Sequence, residues 1–211
     1  MKKVRFLLLL LALPPLAASL TGCIEMAAVG VGAAALGYED RRTTGTLVED
    51  EGIELRATNR VSERFGDKVH VNITSYNRSV LITGEVPDAK AREEIEKIAQ
   101  TVPSVRSVTN DLQVAGGSSL TSRASDSGIT GRVKARFLDA SKFSILHVKV
   151  ITEASVVYLM GIVTESEATE AVELARTTGG VRKVVKVFEY CKPTDALCAP
   201  RAKPKAEEPK K

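Results

Sequence analysis

Two stretches of the chain, 76 to 77 residues apart, show the same alternation of apolar and polar positions. Residues 69–73 correspond to residues 146–150, and residues 80–86 correspond to residues 157–163. A period of two is typical of half-buried strands. Because a short polar turn joins the two runs of each stretch, each stretch predicts a β-hairpin.

Apolar residues three or four positions apart precede each hairpin and predict a helix there. The stripe consists of Ile53, Ala57, Val61 and Phe65 in the first copy and of Ile129, Val133 and Phe137 in the second. A second helix follows each hairpin. Asp88 is its expected N-cap in the first copy, and Thr164 to Glu167 form a capping box in the second.

Each copy ends on a third predicted strand, residues 105–114 and residues 181–190. A strand-helix-strand connection implies that this strand pairs in parallel with the one before the helix. We therefore predict an α/β (α+β) fold of two tandem modules. Each has the order α-β-β-α-β and a small three-stranded mixed sheet packed on helices. Gly84 and Gly161 occupy the same point of the second strand, which indicates a close backbone approach there.

A short leader precedes the repeats. Lys2, Lys3 and Arg5 supply the positive charge of a signal peptide, and the apolar residues 6–13 follow. The apolar run is shorter than the roughly 20 residues that a membrane-spanning helix needs. The leader therefore predicts secretion.

The leader ends on Leu-Thr-Gly followed by Cys23, which resembles the lipobox of bacterial lipoproteins. This resemblance implies cleavage before Cys23 and lipidation of its sulfur and amino group. Ile24, in place of Asp, implies sorting to the periplasmic face of the outer membrane. The alternative is a secreted protein with a chance cysteine near its cleavage site.

Composition divides the chain into six predicted segments. They are the signal peptide (1–22), a lipidated Ala/Gly-rich tether (23–45), module 1 (46–115), a linker (116–124), module 2 (125–192) and a disordered basic Pro/Lys-rich tail (193–211). Residues 199–211 of this tail have no large apolar residue and cannot offset the entropy of ordering.

The net positive charge of the chain comes from the leader and the tail, not from the modules. Residues 23–198 carry 22 basic and 24 acidic side chains, which is a poor footprint for a protein that binds nucleic acid. Cys191 and Cys198 remain as a pair, and an oxidising compartment favours a disulfide between them. A metal or redox site is the alternative, although no histidine lies near them in the sequence.

No group of residues supports catalysis. There is no Ser/His/Asp set, no phosphate loop and no His/carboxylate spacing typical of a metal site, so we expect no enzyme activity, cofactor or metal. His70 and His147 occupy equivalent strand positions, and their alternation with apolar neighbours predicts that both lie on a solvated sheet face. A ligand role is the alternative.

The first helices of the two modules differ in charge. Residues 49–66 carry five acidic and three basic side chains, whereas residues 125–142 carry two acidic and four basic ones. The second helix is therefore the better partner for an anionic surface. The alternative is that its apolar residues are core and that Arg132 and Arg136 are ordinary solvated charges.

The module order, with a glycine after the apolar run of the second strand, resembles the BON domain of bacterial envelope proteins. The most specific stretches are LMGIVTE at residues 159–165 and DRRTTGT at residues 40–46. A lipobox followed by two such modules is similar to the dual-BON outer-membrane lipoproteins. Many of those carry a Trp near the start of the second module's first helix, where this chain has Gly128.

The resemblance implies a non-enzymatic, lipid-anchored periplasmic protein that binds anionic phospholipid, such as phosphatidylglycerol, and supports outer-membrane integrity. The expected phospholipid contacts are Gly128, Ile129, Arg132, Val133, Arg136, Phe137 and Lys142. The alternative function is a protein-interaction scaffold that assists outer-membrane protein assembly through a sheet face or hairpins.

Overall fold

A computed structural model describes residues 40–198 of the chain. The first module consists of α1 (Thr44–Phe65), β1 (His70–Tyr76), β2 (Ser79–Val86), α2 (Ala89–Gln100), β3 (Ser107–Asn110) and β4 (Gln113–Val114). The second consists of α3 (Leu120–Ala140), β5 (Val148–Glu153), β6 (Val156–Val163), α4 (Glu165–Arg176) and β7 (Lys183–Tyr190). Short 3-10 turns, Gly66–Lys68 and Ile145–His147, precede β1 and β5. The predicted lipid site at Cys23 lies outside the described residues.

The predicted order and pairing of the strands are confirmed in both modules, but the third strand of module 1 is interrupted and forms β3 and β4, so that its sheet has four strands. β1 pairs antiparallel with β2, and β3 and β4 pair with β2 in parallel. β6 likewise pairs antiparallel with β5 and parallel with β7. The second strand is thus central in each sheet. Asp88 and Thr164 cap their helices, and the capping box from Thr164 to Glu167 is present.

Two helices cover one face of each sheet and form its core. Ile53, Ala57 and Val61 of α1 are buried against β2 and α2, whereas Phe65 is only partly buried. In module 2 the α3 stripe packs on Val157 and Leu159 of β6 and on the alanines of α4. The helical spacing therefore identified the residues that hold the helices on the sheets.

The other faces of the two sheets pack against each other. Leu81 of β2 and Tyr158, Met160 and Ile162 of β6 belong to one buried cluster. Tyr158 Oη donates to Asp111 Oδ2 at 2.8 Å, and Lys149 Nζ donates to Glu54 Oε1 at 2.9 Å. Burial of these faces makes the two modules one folded unit.

This packing corrects the prediction of a solvated sheet face for the histidines. His70 begins β1 and His147 ends the 3-10 turn before β5, and both are partly buried. Each ring has a carboxylate partner. The Nδ1 of His70 lies 2.8 Å from Glu85 Oε2, and that of His147 lies 3.2 Å from Glu167 Oε1. Alternation placed both on the side away from the helices, but could not show that a second sheet covers that side.

Residues 40–43, which we call the strap, join the modules from the N-terminal side of α1. Arg41 donates to Ile162 O at 2.7 Å and makes two hydrogen bonds to the Glu167 carboxylate, at 2.7 and 3.0 Å. Arg42 pairs with Asp40 and Asp50, and its guanidinium carbon lies 4.0 Å above the Tyr76 ring. One arginine thus binds module 2 and the other binds module 1.

The structure differs from the predicted boundaries of the tether and of the linker. The strap was assigned to the Ala/Gly-rich tether, although residues 40–46 include a stretch typical of the family, because its partners lie far away in the sequence. The linker was predicted to reach residue 124, but α3 begins at Leu120, where the Ser119 side chain accepts from Ser122 N at 3.2 Å. The polar residues that cap and begin α3 resemble a linker in composition, and for that reason the linker was extended too far.

The structure pairs Cys191 with Cys198, whose Cα atoms are 6.1 Å apart, within the range of a disulfide. Cys198 is 7 % exposed and belongs to the cluster between the sheets. The segment 193–198, predicted as part of the tail, thus packs on the fold. Residues 199–211 lie outside the described part of the chain.

Both strand glycines lie where another backbone segment passes closely. A Cβ on Gly84 would lie 2.0 Å from His70 O, and one on Gly161 would lie 2.2 Å from His147 O.

We predict that Gly161→Ala separates β5 from β6 and lowers the free energy of unfolding by at least about 2 kcal/mol in denaturant titrations. Gly131→Ala is the control, because nothing lies within 4 Å of its Cβ position in α3. Equal effects of the two substitutions would contradict the close approach.

The strap also makes stability depend on pH. Burial disfavours the charge on Glu167, but the Arg41 hydrogen bonds, the Thr164 backbone and the Arg41 charge outweigh it and lower the pKa of Glu167 to about 2. A lowered pKa adds stability above the unfolded value of about 4.5, and this stability is lost as the pH falls from 4.5 towards 2.

We therefore predict that Glu167→Gln is less stable than the parent chain at pH 6, and that the difference shrinks as the pH falls to about 2. Denaturant titrations across this range measure it. Glu165→Gln, at an exposed position in the first turn of the same helix, should leave the pH dependence unchanged. A constant difference between Glu167→Gln and the parent chain would show that the ion pair does not contribute.

Candidate functional site

The first helix of module 2, α3, packs against the sheet of its module through one face. Asp126, Ile129, Val133 and Phe137 are its buried residues, and their spacing of three and four positions keeps them on the side of the sheet. Asp126 accepts from Ala154 N at 2.9 Å and from Ser155 N at 2.8 Å. The helix is therefore docked by apolar contacts along its length and by a carboxylate on the β5–β6 turn.

Three of the predicted phospholipid contacts belong to this buried face. Ile129, Val133 and Phe137 are 1 %, 0 % and 1 % exposed. Phe137 also packs edge-on against Phe143, with ring centroids 5.0 Å apart. A lipid could reach these side chains only if α3 left the sheet, so their assignment to a lipid contact was wrong and they are core residues.

Arg136 serves the fold as well. Its Nη1 donates to Leu174 O at 2.7 Å and to Thr177 Oγ1 at 2.8 Å, at the C-terminal end of α4. The equivalent Arg60 of module 1 donates to Thr101 O at 3.2 Å, at the end of α2. A guanidinium that satisfies the last carbonyls of a helix is a known form of capping. Since both copies use it, Arg136 is a structural residue.

Arg132 differs from its counterpart in module 1. Arg56 forms an ion pair with Glu49, with an N–O distance of 2.7 Å, whereas the residue equivalent to Glu49 in module 2 is Ser125. Arg132 is exposed and donates through Nε to Gly179 O at 3.2 Å. Within residues 40–198 it forms no ion pair, so its charge is left for an external anion.

The outer face of α3 and the turn after it combine this charge with others. Gly128, Arg132, Lys134, Leu138 and Lys142 are exposed there, and we call them the basic face. Leu138 is 59 % exposed, and Asp139 is the exposed acidic residue of the same helix. Like Arg132, neither lysine forms an ion pair with an acidic residue of the described chain. The face offers cations beside an apolar side chain, a combination suited to an anionic interface.

Asp50 of α1 and Asp126 of α3 are equivalent residues whose shared role was not predicted. Asp50 of α1 accepts from Asn77 N at 2.8 Å and from Arg78 N at 2.7 Å, as Asp126 does in the second hairpin. Both turns contain two residues with positive φ, and the carboxylate satisfies their N–H groups. The two aspartates lie 76 residues apart, at the spacing of the repeat, which was the signal for this shared role.

A second group of side chains meets where β1 of module 1 lies beside the end of β5. His70, Glu85 and Glu153 each place a ligand atom within 4.8 Å of the others. Asn72 Nδ2 donates to Glu153 Oε2 at 2.6 Å, and Ser118 N donates to Glu85 Oε2 at 3.2 Å. Such a cluster was not predicted from the sequence, because Glu153 is far from His70 and Glu85 in the chain and only the packing of the modules brings them together.

The burial of the two carboxylates makes their negative charge costly. Glu85 and Glu153 are 7 % and 6 % exposed. Burial raises the pKa of Glu153, and the charges of Glu85 and Asp126 add to this effect, although the Asn72 hydrogen bond and the charge of His70 oppose it. The carboxylates therefore lie in a place that favours an added positive charge.

None of the helices within residues 40–198 has the length and the apolar composition needed to cross a bilayer.

Similar proteins are found along most of the chain. It is 36% identical over 173 residues to Outer membrane lipoprotein DolP of Haemophilus influenzae, a match that covers 81% of this chain and 90% of that protein. It is 33% identical over 153 residues to the 21 kDa hemolysin of Actinobacillus pleuropneumoniae, which covers 72% and 79% of the two chains. Osmotically-inducible protein Y of Escherichia coli is 28% identical over 144 residues, with 66% and 72% covered.

The model of the BON domain family matches residues 52–116 and 125–192, one match in each module. These ranges contain both hairpins and both pairs of helices. The chain belongs to the BON domain family and carries two copies of the domain.

Proposed function

We propose that this protein is a lipid-anchored, non-enzymatic component of the outer membrane, on its periplasmic side. We propose further that its second BON domain contacts anionic phospholipid of the phosphatidylglycerol type through the basic face and thereby supports the integrity of the membrane. The observation that carries the proposal is the set of exposed cations on α3 that form no ion pair within residues 40–198.

The anchor is supported by the leader and by a relative. The leader ends on Leu-Thr-Gly-Cys23, and a protein 36% identical to this chain is named an outer membrane lipoprotein. Acyl chains on Cys23 would hold the protein at a membrane, since each buried methylene contributes about 0.8 kcal/mol. The basic face then acts at high effective concentration and does not have to recruit the protein.

Module 1 is a weak candidate for the same contact. On α1, Arg56 pairs with Glu49, Arg64 pairs with Glu94, and Glu54 binds Lys149 of module 2. Two of the three arginines of α1 are thus neutralised by acidic neighbours. An anionic surface gains little from such paired charges.

The alternative is a scaffold that binds assembly factors through a sheet face or hairpins, and the sheet faces are not available for such a contact. The faces on which it relied are buried against each other through residues such as Leu81 and Met160. We therefore favour the lipid contact, for which the exposed side chains are available.

The test measures how the full chain binds to vesicles that contain phosphatidylglycerol. The chain carries Cys23→Ser, so that it has no acyl chains. We predict that Lys134→Glu with Lys142→Glu weakens binding by about 25-fold or more in vesicle sedimentation, because each basic residue near an anionic surface contributes about 1 kcal/mol. Arg136 is left unchanged, since it caps α4.

Lys183→Glu with Lys186→Glu is the matched control, since it reverses two exposed charges on β7 of the same module. It should weaken binding much less. If both double variants weaken binding equally, the contact is a general charge effect and the site assignment is wrong.

Attachment is tested separately. We predict that Cys23→Ser releases the chain from the outer-membrane fraction while its circular dichroism spectrum and thermal unfolding stay unchanged, because Cys23 precedes the folded unit. Firm fractionation of Cys23→Ser with the outer membrane would contradict the anchor.

A further inference from the structure

The contact between the modules is repeated at two related places. Tyr76 at the end of β1 and Glu153 at the end of β5 are equivalent in the repeat, as are His70 and His147. Tyr76 Oη donates to the backbone carbonyl of His147 at 3.4 Å, and a carboxylate oxygen of Glu153 lies within 4.8 Å of a ring nitrogen of His70. The modules thus pack almost as a symmetric dimer does, with each hairpin end against the other module's histidine.

The two ends of this contact differ in the positive charge that lies beside them. At the end with Tyr76 and His147, the strap supplies two cations, Arg41 on Glu167 and Arg42 over the Tyr76 ring. At the other end lie Glu85 and Glu153, both more than nine-tenths buried. Within the described chain, Glu85 forms one ion pair, with His70, and Glu153 forms none. Buried carboxylates without a cation are costly to keep ionised.

We propose that His70, Glu85 and Glu153 bind one divalent transition-metal ion of the zinc class, which joins the two BON domains as the strap does at the related end. One imidazole nitrogen and two carboxylate oxygens are a ligand set that zinc accepts, with a fourth position for water. Two ligands come from module 1 and one from module 2, so the ion fastens the modules to each other.

The geometry requires a small rearrangement, in which His70 Nδ1 and Glu85 Oε2, now 2.8 Å apart, separate slightly and Glu153 moves closer. Tetrahedral ligands about 2.0 to 2.1 Å from zinc lie about 3.4 Å from each other. The three ligand atoms are within 4.8 Å now, so side-chain rotations bring them into range. Asn72 and Ser118 N hold the carboxylates by hydrogen bonds, as the outer partners of metal ligands do.

An ion can reach the site from solvent. Two open cavities, of about 570 Å³ and about 360 Å³, both border His70. Arg123 lines both cavities, but it donates to Ser118 through Nε at 3.3 Å and through Nη2 at 3.2 Å. Its guanidinium is thus engaged beside the cluster and does not form an ion pair with it.

The experiment is a Zn²⁺ titration of the full, tag-free chain without reductant, in competition with a chromophoric chelator. One Zn²⁺ per chain is expected, with a rise in the midpoint of thermal unfolding. Glu153→Gln should weaken Zn²⁺ binding by about tenfold or more and abolish the rise, while the metal-free protein unfolds at or above the parent midpoint. Mg²⁺ should bind far more weakly, because imidazole favours zinc over magnesium.

Two controls make the result specific. His147→Ala removes the equivalent histidine of module 2 and should leave the Zn²⁺ affinity unchanged, whereas His70→Ala should reduce it as Glu153→Gln does. Cys191→Ser with Cys198→Ser should also retain the affinity, which excludes a site built on these two thiols. Absence of stoichiometric binding, equal affinity of Glu153→Gln and the parent chain, or equal affinity for Mg²⁺ would each overturn the proposal.

Discussion

The burial of one sheet face against the other is the contact on which the rest of this molecule depends. A three-stranded sheet with helices on one side leaves an apolar side uncovered, here represented by Leu81 in module 1 and by Tyr158, Met160 and Ile162 in module 2. Burial of such side chains contributes about 1.5 to 3 kcal/mol each. Each module therefore supplies the cover that the other needs, which explains why the repeat folds as one unit.

This constraint also decides where function can lie. With the sheet faces buried, the helices form much of the remaining surface, and the two first helices have diverged there. The Asp50 and Asp126 carboxylates and the Arg60 and Arg136 caps are shared, because both copies of the fold require them. The exchange of Glu49 for Ser125 is not shared, and it leaves Arg132 exposed and without an ion pair in the described chain.

The sequence was sufficient for features that depend on local pattern. The hairpins, both helix caps and the close approach at Gly84 and Gly161 follow from periodicity, capping residues and a glycine repeated at one spacing. It was insufficient for features that depend on the packing of the modules. The strap was assigned to the tether, and the cluster at His70 and Glu153 joins residues 83 positions apart. In the candidate site, charge singled out α3, but only the packed structure separates the core residues of that helix from its exposed ones.

The central claim is that the basic face of α3 meets the membrane while α1 does not. Spin labels on Ala135 of α3 and on the equivalent Asn59 of α1, both exposed, test it in a Cys23→Ser chain whose other cysteines are disulfide-bonded. With phosphatidylglycerol vesicles, the label at residue 135 should lose accessibility to a polar relaxation agent and gain accessibility to oxygen, and the label at residue 59 should change little. No change at residue 135, or the same change at both positions, would contradict the account.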